Sequence, residues 1–321
     1  MKVIKIAPRG YCHGVVSALN IVTSAAHDDT IPRPIYVLGM IVHNEHITKA
    51  LDELGVITLD STKDRFHKRT RLELLEEIES GTVIFTAHGV SPQVLHRAKQ
   101  KGLHCIDGSC KDVIKTQDII KEHLGDGFDV IYIGKKGHPE TEGCLGISIA
   151  EIHLVEKPGD IANLEIANKK IIITNQTTMS SWDVNAIADE IKAKFPTSKF
   201  IKEICNATLI RQEAVLEQAN GADLTIVVGD PKSNNTKRLV QISEEMAKTP
   251  AIRIGSLEEL DLNLLGEVRA VAVTSGASTP TAITKEVIQF LEKYDPSDPL
   301  THDTTSKINS DKILIRRSKK N

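Results

Sequence analysis

The chain has 321 residues, 40% apolar and 26% charged, a balance that fits a folded soluble protein and excludes a disordered or collagenous one. Its formal net charge of −3 argues against a general polyanion binder, and an aromatic content of 3% is too low for a platform that stacks single-stranded nucleic acid. Five cysteines, odd in number and widely spaced, do not make a secreted disulfide framework.

Short β-branched runs bounded by Gly, Pro, Asn or Asp predict strands at Val3–Ile6, Ile35–Leu38, Val56–Leu59, Thr82–Phe85, Leu103–Ile106, Asp129–Ile133, Ile152–Val155, Lys170–Thr174, Lys199–Ile201, Leu224–Val228, Ala251–Ile254 and Ala270–Thr274. Their continuous apolar character predicts burial on both faces of parallel sheets. Helical segments alternate with them at Val15–His27, Pro92–Lys101, Val113–His123, Val184–Phe195, Arg211–Asn220 and Thr281–Tyr294. The alternation predicts an α/β fold with parallel-type sheets. After Tyr294 the composition turns polar, and from Asp311 onward five basic residues stand against one acidic, which reads as a solvated, partly ordered tail. No apolar run approaches the ~20 residues that span a bilayer. Strand residues follow Met1 at once, so the expected location is the cytoplasm, with no membrane or nucleic-acid partner.

No dinucleotide or P-loop glycine fingerprint follows a strand, so the chemistry is sought in the polar groups beyond the strand ends. These groups recur. Cys12 to Cys110 spans 98 residues and Cys110 to Cys205 spans 95. His43, His138 and Ser233 lie 31, 28 and 28 residues beyond these cysteines, and His88, Thr177 and Ser278 follow after a further 45, 39 and 45. The spacing predicts three pseudo-symmetric α/β units around a common centre. They are expected at residues 1–106 (Cys12, His43, His88), 107–203 (Cys110, His138, Glu140, Thr177) and 204–294 (Cys205, Ser233, Asn235, Ser278), with a tail over 295–321.

Three thiolates without a fourth are unusual for zinc, which normally closes its site with another Cys or His. They suit an iron–sulfur cluster with one iron left open to substrate. The surrounding His, Ser and Asn donors near helix starts suit an anion, a diphosphate better than a carboxylate. Glu140 stands among them as an acid and a natural proton source. Cys105, inside a strand, and Cys144, off the pattern, are expected to be structural. Two other readings stay open on these residues: a zinc enzyme using the same thiolates plus Glu140, and a metal-free module that binds a phosphate ligand.

Several motifs carry a resemblance. They are Pro8-Arg9-Gly10-Tyr11-Cys12-x-Gly14-Val15, Val42-His43-Asn44, Ala87-His88-Gly89-Val90-Ser91, Gly137-His138-Pro139-Glu140-x-Glu142-Gly143, Gln176-Thr177-Thr178, Cys205-x-Ala207-Thr208-x-x-Arg211-Gln212, Ser233-x-Asn235 and Gly276-Ala277-Ser278. Over roughly residues 1–294 the sequence resembles the hydroxymethylbutenyl diphosphate reductase family, known as IspH or LytB. The segment Gly229-Asp230-Pro231-Lys232-Ser233-Asn234-Asn235 resembles its Gram-positive branch. The resemblance implies an iron–sulfur oxidoreductase of the non-mevalonate (MEP) isoprenoid pathway. A four-iron, four-sulfur cluster, [4Fe-4S], would be held by Cys12, Cys110 and Cys205, with one iron not ligated by protein. His43, His88, Ser233, Asn234, Asn235 and Ser278 would bind the diphosphate, with His138 contributing, and Thr177 and Glu140 would relay protons. Two electrons, from ferredoxin or flavodoxin, would remove the substrate hydroxyl as water and leave isopentenyl or dimethylallyl diphosphate.

One segment departs from the family pattern. Asp-Ala-Thr-Cys-Pro is usual around the second ligand, and here Asp107-Gly108-Ser109-Cys110-Lys111 stands in its place. Losing Pro removes a residue pre-organised for a helix start, Lys adds a cation there, and Gly adds backbone freedom. The expectation is altered cluster assembly or oxygen tolerance with activity retained.

Overall fold

The computed structural model describes residues 1–60 and 69–314. Among the described residues, twelve strands alternate with helices. The strands are β1 (Lys2–Lys5), β2 (Ile35–Leu38), β3 (Val56–Leu59), β4 (Thr82–Phe85), β5 (His104–Asp107), β6 (Asp129–Ile133), β7 (Ile152–Val155), β8 (Ile171–Asn175), β9 (Lys199–Phe200), β10 (Leu224–Val228), β11 (Ala251–Ile254) and β12 (Ala270–Ser275). The helices are α1 (His13–Ala26), α2 (Glu45–Asp52), α3 (Arg71–Glu76), α4 (Pro92–Gln100), α5 (Lys111–Gly125), α6 (Pro139–Leu145), α7 (Ser181–Lys194), α8 (Asn206–Gln218), α9 (Asn234–Glu245), α10 (Thr281–Lys293) and α11 (Ser310–Ile313). Among the described residues no helix is long and apolar enough to cross a membrane.

The strands form three four-stranded sheets, ordered β3-β2-β4-β5, β7-β6-β8-β9 and β11-β10-β12-β1, with every pairing parallel. One topology is used three times. Inner strands β4, β8 and β10 are buried along their whole length, which is why their β-branched residues run without interruption. Edge strands β1 and β5 expose both ends and are the more polar for it.

The pairing of β1 corrects the expected division of the chain. Residues 1–106 do not form one unit, because β1 pairs with β12, in the register Val3 to Val271. Met1–Leu19, Val42–Glu53 and Asn206–Asn321 make one compact unit, and Asn20–Ile41 with Leu54–Cys205 make another. The first unit holds β10, β11, β12 and β1, and the second holds the other two sheets. Each cysteine therefore follows the edge strand of a sheet, β1, β5 or β9, and belongs with the polar groups that precede it in that sheet. Cys110 goes with His88, Cys205 with His138 and Thr177, and Cys12 with Ser233 and Ser278. Reading units in chain order had shifted each cysteine by one sheet.

The tail differs from expectation in part. Residues 295–314 stay largely exposed, Leu300 by 91%, but are anchored at points: Ile308 lies against the core formed by β10, β12 and α10, and Ile313 in α11 is buried. Four of the five basic residues, Arg316, Arg317, Lys319 and Lys320, lie outside the described residues.

Ile6, which is fully buried and whose N–H donates to Val273 O at 3.0 Å, tests the β1 assignment. Ile6→Ala is expected to cost about 2–5 kcal/mol in urea unfolding. Faster hydrogen exchange should appear in β12; faster exchange in β4 instead would contradict the pairing.

Candidate active site

Each cysteine occupies the same kind of turn. Cys12, Cys110 and Cys205 directly precede α1, α5 and α8. Their backbone N–H groups donate to Ala277 O, Ala87 O and Thr177 O, each at 3.0 Å and each two residues past the end of the neighbouring strand. Two residues upstream, Gly10 N–H donates to Ser275 Oγ at 2.8 Å, Gly108 N–H to Phe85 O at 3.0 Å and Glu203 N–H to Asn175 Oδ1 at 3.0 Å. The backbone is thus pinned on both sides of each thiol, at a helix N-terminus, where the helix dipole favours thiolate. None of the five cysteines is in a disulfide. Cys144, fully buried in α6, has its thiol pushed well up by burial, and Cys105 lies within β5, so both are structural by position.

Gly108 behaves otherwise than as a source of slack. A Cβ there would lie 2.4 Å from Phe85 O, so the missing side chain permits a close approach of two backbones. Lys111 opens α5 as an exposed residue, but Asp112 follows it, with Oδ2 3.9 Å from Cys110 Sγ. The charge beside this thiol is mixed, not simply positive.

In the unit with two sheets, a hydrogen-bonded chain runs through the predicted acid. His138 caps α6, its Nδ1 accepting from Glu140 N–H at 3.1 Å, which leaves Nε2 to carry the proton of the neutral ring. Glu140 is 1% exposed. Its Oε1 accepts from Thr177 N–H at 2.7 Å and its Oε2 from Thr177 Oγ1 at 3.0 Å. Burial pushes its carboxyl up to about 7; the two Thr177 bonds pull it down, and the Asp112 charge adds a smaller rise. His88 meets His138 edge to face with ring centroids 5.5 Å apart. Thr177 leads through its carbonyl to Cys205, and His88 adjoins Ala87, the acceptor for Cys110. Cys110, His88, His138, Glu140, Thr177 and Cys205 therefore form one connected set.

Sequence patterns did not single out Arg71. Its side chain is mostly buried, donating from Nε to Leu38 O at 3.4 Å and from Nη1 to Pro139 O at 3.3 Å, with Glu142 at 3.8 Å. It ties the end of β2 to the start of α6 and so fixes the His138–Glu140 turn. Its only sequence signal is a place after Thr70 in a Thr-x-x-Glu capping box, which marks an ordinary helix start.

The other unit gathers the remaining candidates. Ser233 caps α9, its Oγ accepting from Thr236 N–H at 3.3 Å, and Asn234 is the first residue of that helix. Asn235 is buried, with both Nδ2 and Oδ1 lacking a hydrogen-bond partner among the described residues. A buried amide in that state costs about 1–3 kcal/mol per group unless a ligand satisfies it. Thr279 Oγ1 donates to Val228 O at 3.0 Å, which holds the Ser278 loop beside the start of α9. Ser278 Oγ donates to His43 O at 3.1 Å, and Asp230 Oδ2 accepts from Glu45 N–H at 3.0 Å, so the His43 loop and α2 are fastened to the same loops. Cys12, joined through Ala277, completes this set.

Residues 3–292 match the family described as LytB protein. The chain belongs to the LytB family. The 4-hydroxy-3-methylbut-2-enyl diphosphate reductases of Bacillus cytotoxicus and Geobacillus thermodenitrificans are each 58% identical to this chain; the alignments cover 98% of it and 98% and 97% of those proteins. These LytB relatives agree with the Gram-positive resemblance. The structure of the E-1-hydroxy-2-methyl-but-2-enyl-4-diphosphate reductase from Plasmodium falciparum is similar at TM-score 0.82 and 34% identity, covering 92% of this chain and 89% of that one. A second solved structure, titled the terminal enzyme of the non-mevalonate pathway, matches at TM-score 0.64 and 30% identity over 92% of this chain and all of its own.

Gly108→Ala should be destabilising by about 1–3 kcal/mol in denaturant unfolding, because the new methyl overpacks against Phe85 O. A neutral outcome would show that the turn has room. Glu140 has a pH signature of its own. With its carboxyl displaced from 4.5 to about 7, its burial carries no penalty below pH 4.5 and a growing one as pH rises through 7. Between pH 4.5 and 8 the parent should lose about 3 kcal/mol of unfolding free energy relative to Glu140→Gln. Parallel stability curves for the two proteins would refute the displaced carboxyl.

Proposed function

We propose that this LytB-family chain catalyses the reaction for which its relatives are named. It takes 4-hydroxy-3-methylbut-2-enyl diphosphate, two electrons and two protons to isopentenyl or dimethylallyl diphosphate and water. The observation that carries the proposal is Glu140, a buried carboxyl near 7 held by Thr177 in the same connected set as two cysteines. A carboxyl in that range is half protonated at neutral pH, which suits a group that gives up protons and regains them.

Cys12, Cys110 and Cys205 would hold the cofactor. The donor set fits an iron–sulfur cluster: soft thiolates, each at a helix start, on backbone already committed to the neighbouring strand. When bound, a [4Fe-4S] cluster with one iron not ligated by protein supplies electron transfer and a Lewis acid. The remaining work falls to this chain's own groups. His43, His88, His138, Ser233, Asn234, Asn235 and Ser278 bind the diphosphate; the unsatisfied amide of Asn235 and the α9 N-terminus suit an anion there. Because Nδ1 of His138 accepts from Glu140 N–H, the nitrogen of its neutral ring that can donate is Nε2.

The proton geometry follows from the two Glu140 bonds. Oε1 accepts the Thr177 amide, which cannot give up its hydrogen, so the acid proton resides on Oε2. In the protonated acid that bond is reversed: Oε2–H donates to Thr177 Oγ1, 3.0 Å away, and as this proton is handed over the hydroxyl hydrogen of Thr177 goes to the departing hydroxyl. The electrons come from ferredoxin or flavodoxin, and the reduced thiols that ligation requires suit the cytoplasm.

Anaerobic purification with iron and acid-labile sulfide analysis should find about four of each per chain. Zinc without sulfide would favour a zinc enzyme, and neither metal nor sulfide a simple phosphate binder. In a reductase assay, turnover should fall as pH rises through about 7, where Glu140 loses its proton. Glu140→Gln should lower turnover by about 10²–10⁴-fold with iron content unchanged. Full turnover in that variant would overturn the relay.

A further inference from the structure

Residues 295–314 are bound along one compact unit at several separate points. Glu286 in α10 accepts from Ser306 Oγ at 2.7 Å and from Lys307 N–H at 2.6 Å, and Glu258 accepts from Ser306 N–H at 3.3 Å. Ile308 packs into the core of that unit. Beyond these points α11 packs against α2, the helix that follows His43 and is capped by Asn44. Ile313 is buried there, and its carbonyl accepts a 2.8 Å hydrogen bond from the hydroxyl of Tyr11. Tyr11 is the residue before Cys12.

The Cys12 turn is thus held on two sides. On one side Cys12 N–H is bonded to Ala277 O, which fixes the main chain. On the other, the Tyr11 side chain reaches out of the turn to a segment far along the chain, itself seated on α2. The Cys110 and Cys205 turns share the backbone bond; at the positions equivalent to Tyr11 they carry Ser109, whose N–H turns back to the nearby Asp107 Oδ1 at 2.9 Å, and Ile204, whose side chain has no polar atom to tether. We propose that Tyr11 is a positioning residue for Cys12, and that the C-terminal strap, through the Ile313 carbonyl, sets how firmly this thiolate holds the cluster.

This rests on the reading of Cys12 as a cluster ligand, so iron and sulfide in the parent are measured first. The full-length parent, Tyr11→Phe, Ile313→Gln and the double variant are then purified anaerobically. Three quantities are read: hydrogen exchange at amides 10–14, the rate at which cluster absorbance is lost in air, and the electron paramagnetic resonance spectrum of the reduced protein. Tyr11→Phe keeps the ring and removes only the hydroxyl, and is expected to speed exchange and cluster loss by about threefold to tenfold, the range of one ordinary hydrogen bond. The spectrum should shift with it. Ile313→Gln, which puts an amide where an apolar side chain is buried, should act in the same direction. The double variant should go no further than the stronger single, because both act through one bond. Parental cluster loss and a parental spectrum in Tyr11→Phe overturn the proposal while leaving the ligand assignment standing, even if the unfolding midpoint falls. Multiplying effects in the double variant overturn it as well. A parent without iron and sulfide overturns both the proposal and the ligand assignment.

Discussion

The structure depends on a small backbone constraint met three times. In a parallel sheet the chain leaving an edge strand must turn into a helix, and its last N–H groups must still find acceptors. Here they find them just past the end of the neighbouring strand, at Ala277, Ala87 and Thr177. The consequence is that cysteine backbone is immobilised by the sheet while the sulfur remains at the helix start. The loop that supplies the acceptor also carries the next candidate side chain: Ser278 follows Ala277, His88 follows Ala87, and Thr177 is both the acceptor and the partner of Glu140. One hydrogen bond per sheet therefore fixes both a cysteine and the polar side chain carried by the loop of its acceptor.

Glu140 shows how such rigidity becomes chemistry. Burying a carboxylate alone would push its proton affinity far upward, and two bonds from Thr177 offset part of that. Arg71, gripping Pro139 O, and His138, capping the same turn, keep the carboxyl from swinging out to water. The protein retains a group whose charged form is disfavoured, a stability cost in keeping with the proton-donor role proposed for it.

Much of this was legible in residue order. All twelve strands could be seen because buried parallel strands are written as unbroken β-branched runs, and the cysteine intervals exposed the repeat. The partner of β1 could not be seen, since nothing in four residues says whether they pair with β2 or with β12. Four of the six expected helices begin earlier than expected, while α4 and α10 start where expected: α8 begins at Asn206, not Arg211, because its first turn, Asn-Ala-Thr-Leu, shows no apolar stripe. α6, only seven residues with an internal glycine, gave no periodicity at all. Arg71 and Asp230 were missed for a third reason. Their roles come from carbonyls and amides brought up by the fold, and backbone acceptors leave no mark in a sequence.

The placement of β1 has a bearing on how the protein is made. Residues leave the ribosome in order, so Lys2–Lys5 emerge long before Ala270–Ser275, the strand they join. The sheets of the other unit can close as soon as Cys205 has been translated, while β1 and the Cys12 turn wait for the last third of the chain. Until then Cys12 has no Ala277 carbonyl to anchor it and no Ile313 carbonyl beside it. On the proposed ligand set, cofactor assembly would thereby follow completed synthesis, and a nascent or prematurely ended chain is left with a Cys12 turn that has nowhere to dock.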